Sequence, residues 1–247
     1  MNSQCCGTPD LSGLVLIREG AIFIADSHYN SDRNELVTIL EKIHNGEIVT
    51  NQLFLMGDIF DFLCGESKYF IKINQKPIQL INELSHKIDI FYFEGNHDFN
   101  LSSIFPKLKV YPRQNQPIEF KLNDKICYLS HGDIFTNFNY NVFCKIIRNS
   151  ILLRIINFFD FKNLISKSIE TQLNNKMICR KIDNFDTIIK KRIDSYPKCE
   201  YIIEGHFHQN TNTIYKNIEY FNLPSAFCSK KYAKMSQNCN ILEVIDI

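Results

Sequence analysis

Five short fragments of this 247-residue chain gather the side chains that bind hard divalent cations. They are ADSHYNSD with Asp26 and His28, MGDIFDFL with Asp58 and Asp61, EGNHDF with Asn96, His97 and Asp98, SHGD with His131 and Asp133, and EGHFH with His206 and His208. Carboxylate oxygen and imidazole nitrogen without thiolate suit Mn, Fe, Zn or Mg. Asp26, His28, Asp58, Asn96, His131, His206 and His208 make seven candidate ligands. One tetrahedral or octahedral ion with open water positions needs fewer, so the set predicts two ions sharing a bridging carboxylate, naturally Asp58. Asp61, Asp98 and Asp133 are expected to orient ligand imidazoles rather than touch metal. Alone, a DxH or GHxH is a weak signal, because such residues on a loop are commonly just solvated. GNHD closing an apolar run is far more specific, and five such fragments in order are hard to attribute to coincidence.

For these fragments to meet, rigid elements must bring them from distant positions. Each fragment closes an apolar run that reads as a buried strand: Ala21 to Ala25, Leu53 to Met56, Ile90 to Glu94, Ile126 to Ser130 and Tyr201 to Glu204. Helical periodicity lies between the first three, over Asn34 to Asn45 and Ile78 to His86, giving βαβαβ order and an α/β fold. Ligands collect at the carboxyl ends of strands in such sheets. A glycine-poor stretch from Ile134 to Tyr196 has helical periodicity and reads as a helical cap inserted within one domain spanning 1–247. Strands return at Thr211 to Tyr215, Ile218 to Asn222 and Ile241 to Ile245, with Lys216 and Asn217 as a hairpin turn.

With 45% hydrophobic and 22% charged residues the composition is that of a globular protein, and a net charge of +1 gives no reason to expect a nucleic-acid partner. The charge is uneven, however. Eleven Lys and Arg against five Asp and Glu give 134–196 a net +6, leaving −5 on the rest. The same stretch holds an apolar run from Ile151 to Ile165, so it could bind acyl chains and meet anionic headgroups at the inner membrane. The alternative is an ordinary helical lid with core apolar residues and solvated lysines. Nine cysteines without a CxxC pair predict neither a disulfide framework nor a zinc finger. Most are expected as buried small hydrophobes in a reducing, cytoplasmic setting, with Cys5 and Cys6 an exposed incidental pair. Neither a signal peptide nor a spanning segment is expected.

The pattern DxH, GDxxD, GNHD, HG and GHxH resembles that of the calcineurin-like binuclear metallophosphoesterases, from about Asp26 to His208. The resemblance implies a four-layer αββα sandwich and two divalent ions, with Mn the first expectation. One would be held by Asp26, His28, Asp58 and His208 and the other by Asp58, Asn96, His131 and His206. It also implies that His97, with Asn96, meets the substrate phosphate and leaving group as the catalytic histidine. Within the family, GDIFDF, GNHDF, SHGD and the helical insertion look most like the hydrolases that cleave UDP-2,3-diacylglucosamine to UMP and lipid X in lipid A synthesis. That likeness implies an amphiphilic UDP-sugar lipid as substrate and adds Tyr140, Arg148 and Asn149 as substrate contacts. A soluble phosphomonoesterase, nucleotidase or phosphodiesterase is the alternative.

Overall fold

The computed structural model describes residues 11–236 and 241–247. Its architecture follows from strand alternation. In β1 (Ile22–Ile24), β2 (Gln52–Leu55) and β4 (Asp89–Phe93), Ile22, Ile24, Leu53, Leu55, Ile90 and Tyr92 enter one apolar cluster, while Phe23, Phe54, Phe91 and Phe93 enter another. A strand apolar at every position must be covered on both faces. The first cluster is closed by α1 (Glu35–His44) and by α3 (Gln75–Leu84), which follows the short α2 (Lys68–Ile73), through Leu36, Ile39, Leu40, Ile78, Ile81 and Leu84. The second lies between two sheets, where Phe23, Phe54 and Phe91 stack at centroid distances of 4.6 and 4.8 Å.

The first sheet has the order β13-β12-β1-β2-β4-β6, with β6 at Lys109–Tyr111, β12 at Lys231–Met235 and β13 at Leu242–Asp246. Strands β1, β2, β4 and β6 are parallel, and β12 and β13 pair antiparallel at one edge. The second sheet is β10-β11-β9-β8-β7, with β7 at Ile118–Leu122, β8 at Lys125–Ser130, β9 at Tyr201–Glu204, β10 at Thr211–Tyr215 and β11 at Ile218–Asn222. Its outer face is covered by α7 (Phe185–Ile193), whose Ile189 and Ile193 pack with Ile202 and Tyr220. The result is the expected αββα sandwich. A short parallel pair, β3 (Leu63–Cys64) with β5 (Asp98–Phe99), ties the second ligand loop to the third. Lys216 and Asn217 both take positive φ between β10 and β11, as the hairpin turn requires.

Three helices stand off this sandwich: α4 (Phe138–Ile147), α5 (Ser150–Phe159) and α6 (Leu164–Asn174). Their boundaries are set by side-chain caps. Asn137 accepts from the Tyr140 amide at 2.9 Å, Asn149 from Leu152 at 3.0 Å, and Asp160 from Ile165 at 2.8 Å. The continuous helical periodicity expected through 134–196 fails at 175–184, which is irregular backbone between α6 and α7. The cysteine expectation also needs correction. Cys64, Cys127, Cys144 and Cys199 are free and buried, but Cys179 and Cys228 form a disulfide. The Cys5–Cys6 expectation lies outside the described residues. No helix among the described residues is long and apolar enough to cross a membrane.

Beneath the last ligand loop sits a buried charge cluster. Glu204, fully buried, accepts from both Arg192 nitrogens Nε (2.7 Å) and Nη2, from the Tyr196 and Tyr220 hydroxyls, and from Ser130 Oγ at 3.2 Å. Burial alone would raise its pKa, but the Arg192 guanidinium and the hydroxyls hold it below the ordinary value of 4.5. Removing one partner strands the other. Arg192→Met is expected to destabilise the fold by about 3–5 kcal/mol at pH 7 in urea unfolding. Because the folded pKa is depressed, this stabilisation is present above the ordinary carboxyl value and is lost as pH falls through the folded one. The gap between wild type and variant should therefore narrow on acidification, and a gap that is constant between pH 7 and pH 3 would contradict the assignment.

Candidate metal centre

At the carboxyl ends of β1, β2, β4, β8 and β9 the chain leaves each strand abruptly. Asp26, His28, Asp58, His206 and His208 all have left-handed backbone, with φ from +42° at His28 to +66° at His206. Non-glycine residues rarely adopt this conformation, and a cluster of them marks a loop whose surroundings over-determine it. Two glycines allow the loops to close. Gly57 has φ +86° and any Cβ there would run into the His131 ring, while a Cβ on Gly95 would collide with Asp58.

The loops bring all seven candidate ligands together. Asp26, His28 and His208 form one group and Asp58, His131 and His206 a second, each with ligand atoms within 4.8 Å of one another. His208 Nε2 lies 3.1 Å from Asp26 Oδ1, and His131 Nε2 lies 3.5 Å from Asp58 Oδ1. Asn96 Oδ1 is 3.3 Å from His131 Nε2. Asp58 sits between the groups, its other oxygen 3.9 Å from His28 Nε2. His28, Asp58 and His97 form a third such group, so His97 stands within reach of the same space.

The chemistry of these donors fits divalent ions. Both ring nitrogens of His28 are buried with no hydrogen-bond partner, a state that costs about 1–3 kcal/mol per orphaned group unless a ligand meets it. Burial pushes the His28 pKa down to about 3, and burial together with His131 brings His206 down to about 4. Both are therefore neutral, the ligating form, at pH 7. Burial opposes charge on His131 as well, but Asp58, Asp133 and Asp26 outweigh it and raise its pKa to about 9. Its Nδ1 donates to the Met56 carbonyl at 2.9 Å, so Nε2 faces the cluster. An arriving cation would take the place of the proton on Nε2.

The expected supporting carboxylates divide into different tasks. Asp61 Oδ1 is 3.7 Å from His28 Nδ1 and accepts from Arg33 at 3.0 Å, a position from which it can orient that ring. Asp98 holds backbone instead of a histidine. It accepts from the amides of Asp58 (3.1 Å), Ile59 (2.6 Å) and Gly95 (2.8 Å) and from the Tyr92 hydroxyl (2.7 Å), clamping two ligand loops together. Asp133 accepts from Arg113 Nε at 2.7 Å. His97 Nδ1 donates to the Asp61 carbonyl at 2.6 Å, so the tautomer is fixed by backbone and Nε2 is the atom left facing the cleft.

That cleft, about 510 Å³, is lined by His28, Asp58, Asn96, His97, His206 and His208 on one side and by residues 176–183 on the other. Tyr140, Arg148 and Asn149 do not line it. Asn149 is the cap of α5, Tyr140 lies under the Arg113 guanidinium, and Arg148 donates to the Gly95 carbonyl at 2.8 Å beside a separate cavity of about 870 Å³. The cleft's cations are Lys176, Arg180 and Lys181, which outnumber the one carboxylate on that wall, Asp183. Lys176 Nζ is 3.5 Å from His97 Nε2. Sequence reasoning missed these three because they sit in an irregular segment with no motif. Their only signal was the net charge of the insertion.

A family model for the calcineurin-like phosphoesterases matches residues 21–210. The chain belongs to that family. A UDP-2,3-diacylglucosamine hydrolase from Blochmanniella pennsylvanica is 26% identical over 232 residues, covering 87% of this chain and 90% of the relative. Another protein of that name from Psychromonas ingrahamii is 21% identical over 196 residues, covering 76% and 80%. Among solved structures, the phosphoesterase Yfce from E. coli is 15% identical with a TM-score of 0.49, covering 92% of each chain. As a family member the chain is a metal-dependent phosphoesterase, and the clustered His and Asp side chains are its candidate metal site.

Proposed function

We propose that this phosphoesterase cleaves UDP-2,3-diacylglucosamine to UMP and 2,3-diacylglucosamine 1-phosphate, a step of lipid A synthesis. The observation that carries the reading is a two-group Asp/His centre opening into a cleft whose far wall is cationic, beside helices with unburied apolar faces. Helix α5 has no buried residue, and Ile151, Phe158, Phe159, Phe161 and Leu164 are 64–81% exposed. Such a face suits acyl chains at a bilayer surface, with Arg154, Lys162 and Lys167 placed among them for anionic headgroups. The similarity to proteins named for this reaction supports the same substrate.

Asp26, His28, Asp58 and His208 would hold one ion and Asp58, Asn96, His131 and His206 the other, Mn2+ being the first candidate and Fe, Zn or Mg the others. When bound, such a pair supplies Lewis acidity toward the phosphate oxygens and an attacking water. The chain's own residues do the rest. Asp58 fixes the spacing of the two groups, Asn96 and His97 reach the phosphoryl oxygens, and His97, when its ring carries a proton on Nε2 as well as on Nδ1, is placed to give the Nε2 proton to the departing oxygen. Asp61 holds His97 through its carbonyl, and its carboxylate stands 3.7 Å from His28 Nδ1.

A second reading, a soluble phosphomonoesterase, nucleotidase or phosphodiesterase, is favoured by His97 itself, because the GNHD fragment that carries it is the pattern of the calcineurin-like family at large. Turnover of UDP-2,3-diacylglucosamine in detergent with Mn2+ distinguishes the two. The expected result is a kcat/KM at least about 100-fold above that for a simple phosphomonoester at equal concentration. Preference for the monoester or a nucleotide would overturn the lipid substrate while leaving the phosphoesterase chemistry in place.

A further inference from the structure

Residues 175–184 cross the mouth of the cleft with no helix or strand of their own, and most of their side chains are exposed. Such a segment has little packing to hold it, yet it carries Lys176, Arg180 and Lys181 against the catalytic side of the cleft. Three attachments away from the centre fix it, and all lie within 179–182. Gln209 donates from Nε2 to the Arg180 carbonyl at 2.9 Å and accepts at Oε1 from the Ile182 amide at 2.9 Å. Cys179 is joined to Cys228, 49 residues away, and Cys228 is anchored by its amide to Ser225 Oγ at 3.0 Å. Gln209 follows His208 directly and is itself held by donation from its amide to Asn222 Oδ1 at 2.8 Å. Cys228 Sγ lies 3.6 Å from His208 Nδ1. The anchors therefore land on the loops that carry or touch one metal-ligand candidate.

We propose that Gln209 and the Cys179–Cys228 bond are positioning elements for substrate: they hold the 176–182 strap so that its cations form the anion-binding wall of the cleft. Gln209 acts through the strap and not on the reacting atoms. The substrate class this wall fits is an anionic phosphate ester, a diester or a diphosphate alike. This rests on the proposed reading only in that the cleft between the strap and the Asp/His centre is where phosphate esters bind. The covalent anchor also makes the wall responsive to reduction. A dithiol would give up two electrons and two protons, becoming a cyclic disulfide while Cys179 and Cys228 become thiols.

The test uses the full-length holoenzyme with Mn2+ and bis(p-nitrophenyl) phosphate, a reporter that needs only phosphoesterase chemistry. Gln209→Ala and Cys179→Ser should each raise KM about tenfold with kcat within about twofold and metal content unchanged, the signature of lost ground-state positioning. Gln209→Glu keeps the acceptor for Ile182 but loses the donor to Arg180, so it should give a smaller rise. Dithiothreitol should shift the wild-type KM to that of Cys179→Ser and leave Cys179→Ser unmoved. KM values unchanged in both variants would overturn the proposal. So would a KM rise accompanied by metal loss, or a dithiothreitol effect of equal size on Cys179→Ser. Wild-type protein inactive on the reporter with Mn2+ would overturn the underlying phosphate-ester reading instead, and the two failures are thereby told apart.

Discussion

Asp58→Asn is expected to lower kcat by about 10³-fold or more and to leave fewer than two ions per chain. Asp58 stands in two of the three ligand groups, with His28 on one side and His131 and His206 on the other. It also accepts from the His97 amide at 2.9 Å, so it aligns the catalytic loop as well. Asparagine keeps the shape and one acceptor but removes the charge that the His cluster and any bound cations would require. The measurement is metal content by mass spectrometry alongside turnover of a p-nitrophenyl ester, with and without added Mn2+. Chelation of wild-type protein should reproduce the loss, and Mn2+ should restore activity to wild type but not to Asp58→Asn. Full metal loading with activity within about tenfold of wild type would sink the assignment of Asp58 as the bridge.

The second large effect belongs to His97. His97→Gln should reduce kcat by about 10²–10⁴-fold on an ester with a poor alcohol leaving group, the range for loss of a positioned general acid. On a p-nitrophenyl ester, whose departing oxygen needs little protonation, the loss should be much smaller. Metal content should stay at the wild-type value, since Asp58, His131 and His206 form their group without His97. An equal loss on both esters would instead assign His97 to phosphate binding alone. The geometry already limits the atoms involved: with Nδ1 committed to the Asp61 carbonyl, only Nε2 can act.

The centre was legible in the sequence because every candidate ligand lies at the end of an apolar run. A strand buried on both faces has a composition that can be recognised, and the chain must turn beyond it, so GNHD and GHFH announce both the element and its end. The same reasoning placed the alternation of strands and helices at the front of the chain, since α1 and α3 carry their apolar residues at helical spacing, while the four layers were implied by the family resemblance. It did not reveal β12 (Lys231–Met235), whose lysines read as surface although Tyr232 and Ala233 are buried beside β1. Strand identity there comes from pairing, which depends on a partner near the opposite end of the chain.

By itself, then, the sequence determined the donor set, because the types of the candidate ligands, their number and their order along the chain are local properties of short segments; the reaction class followed from the family pattern that they resemble. Tertiary structure alone decided which residues face those ligands across the cleft. Tyr140, Arg148 and Asn149 were placed in the substrate site by resemblance, and the fold uses Asn149 as a helix cap and Arg148 as a brace on the Gly95 carbonyl. Lys176, Arg180 and Lys181 line the cleft instead because Gln209 and Cys228, distant in sequence, fix an irregular segment. A helix or strand writes its periodicity into the chain. A strap held by two hydrogen bonds and one disulfide leaves no such pattern, because its position is set by distant partners and not by its own residues.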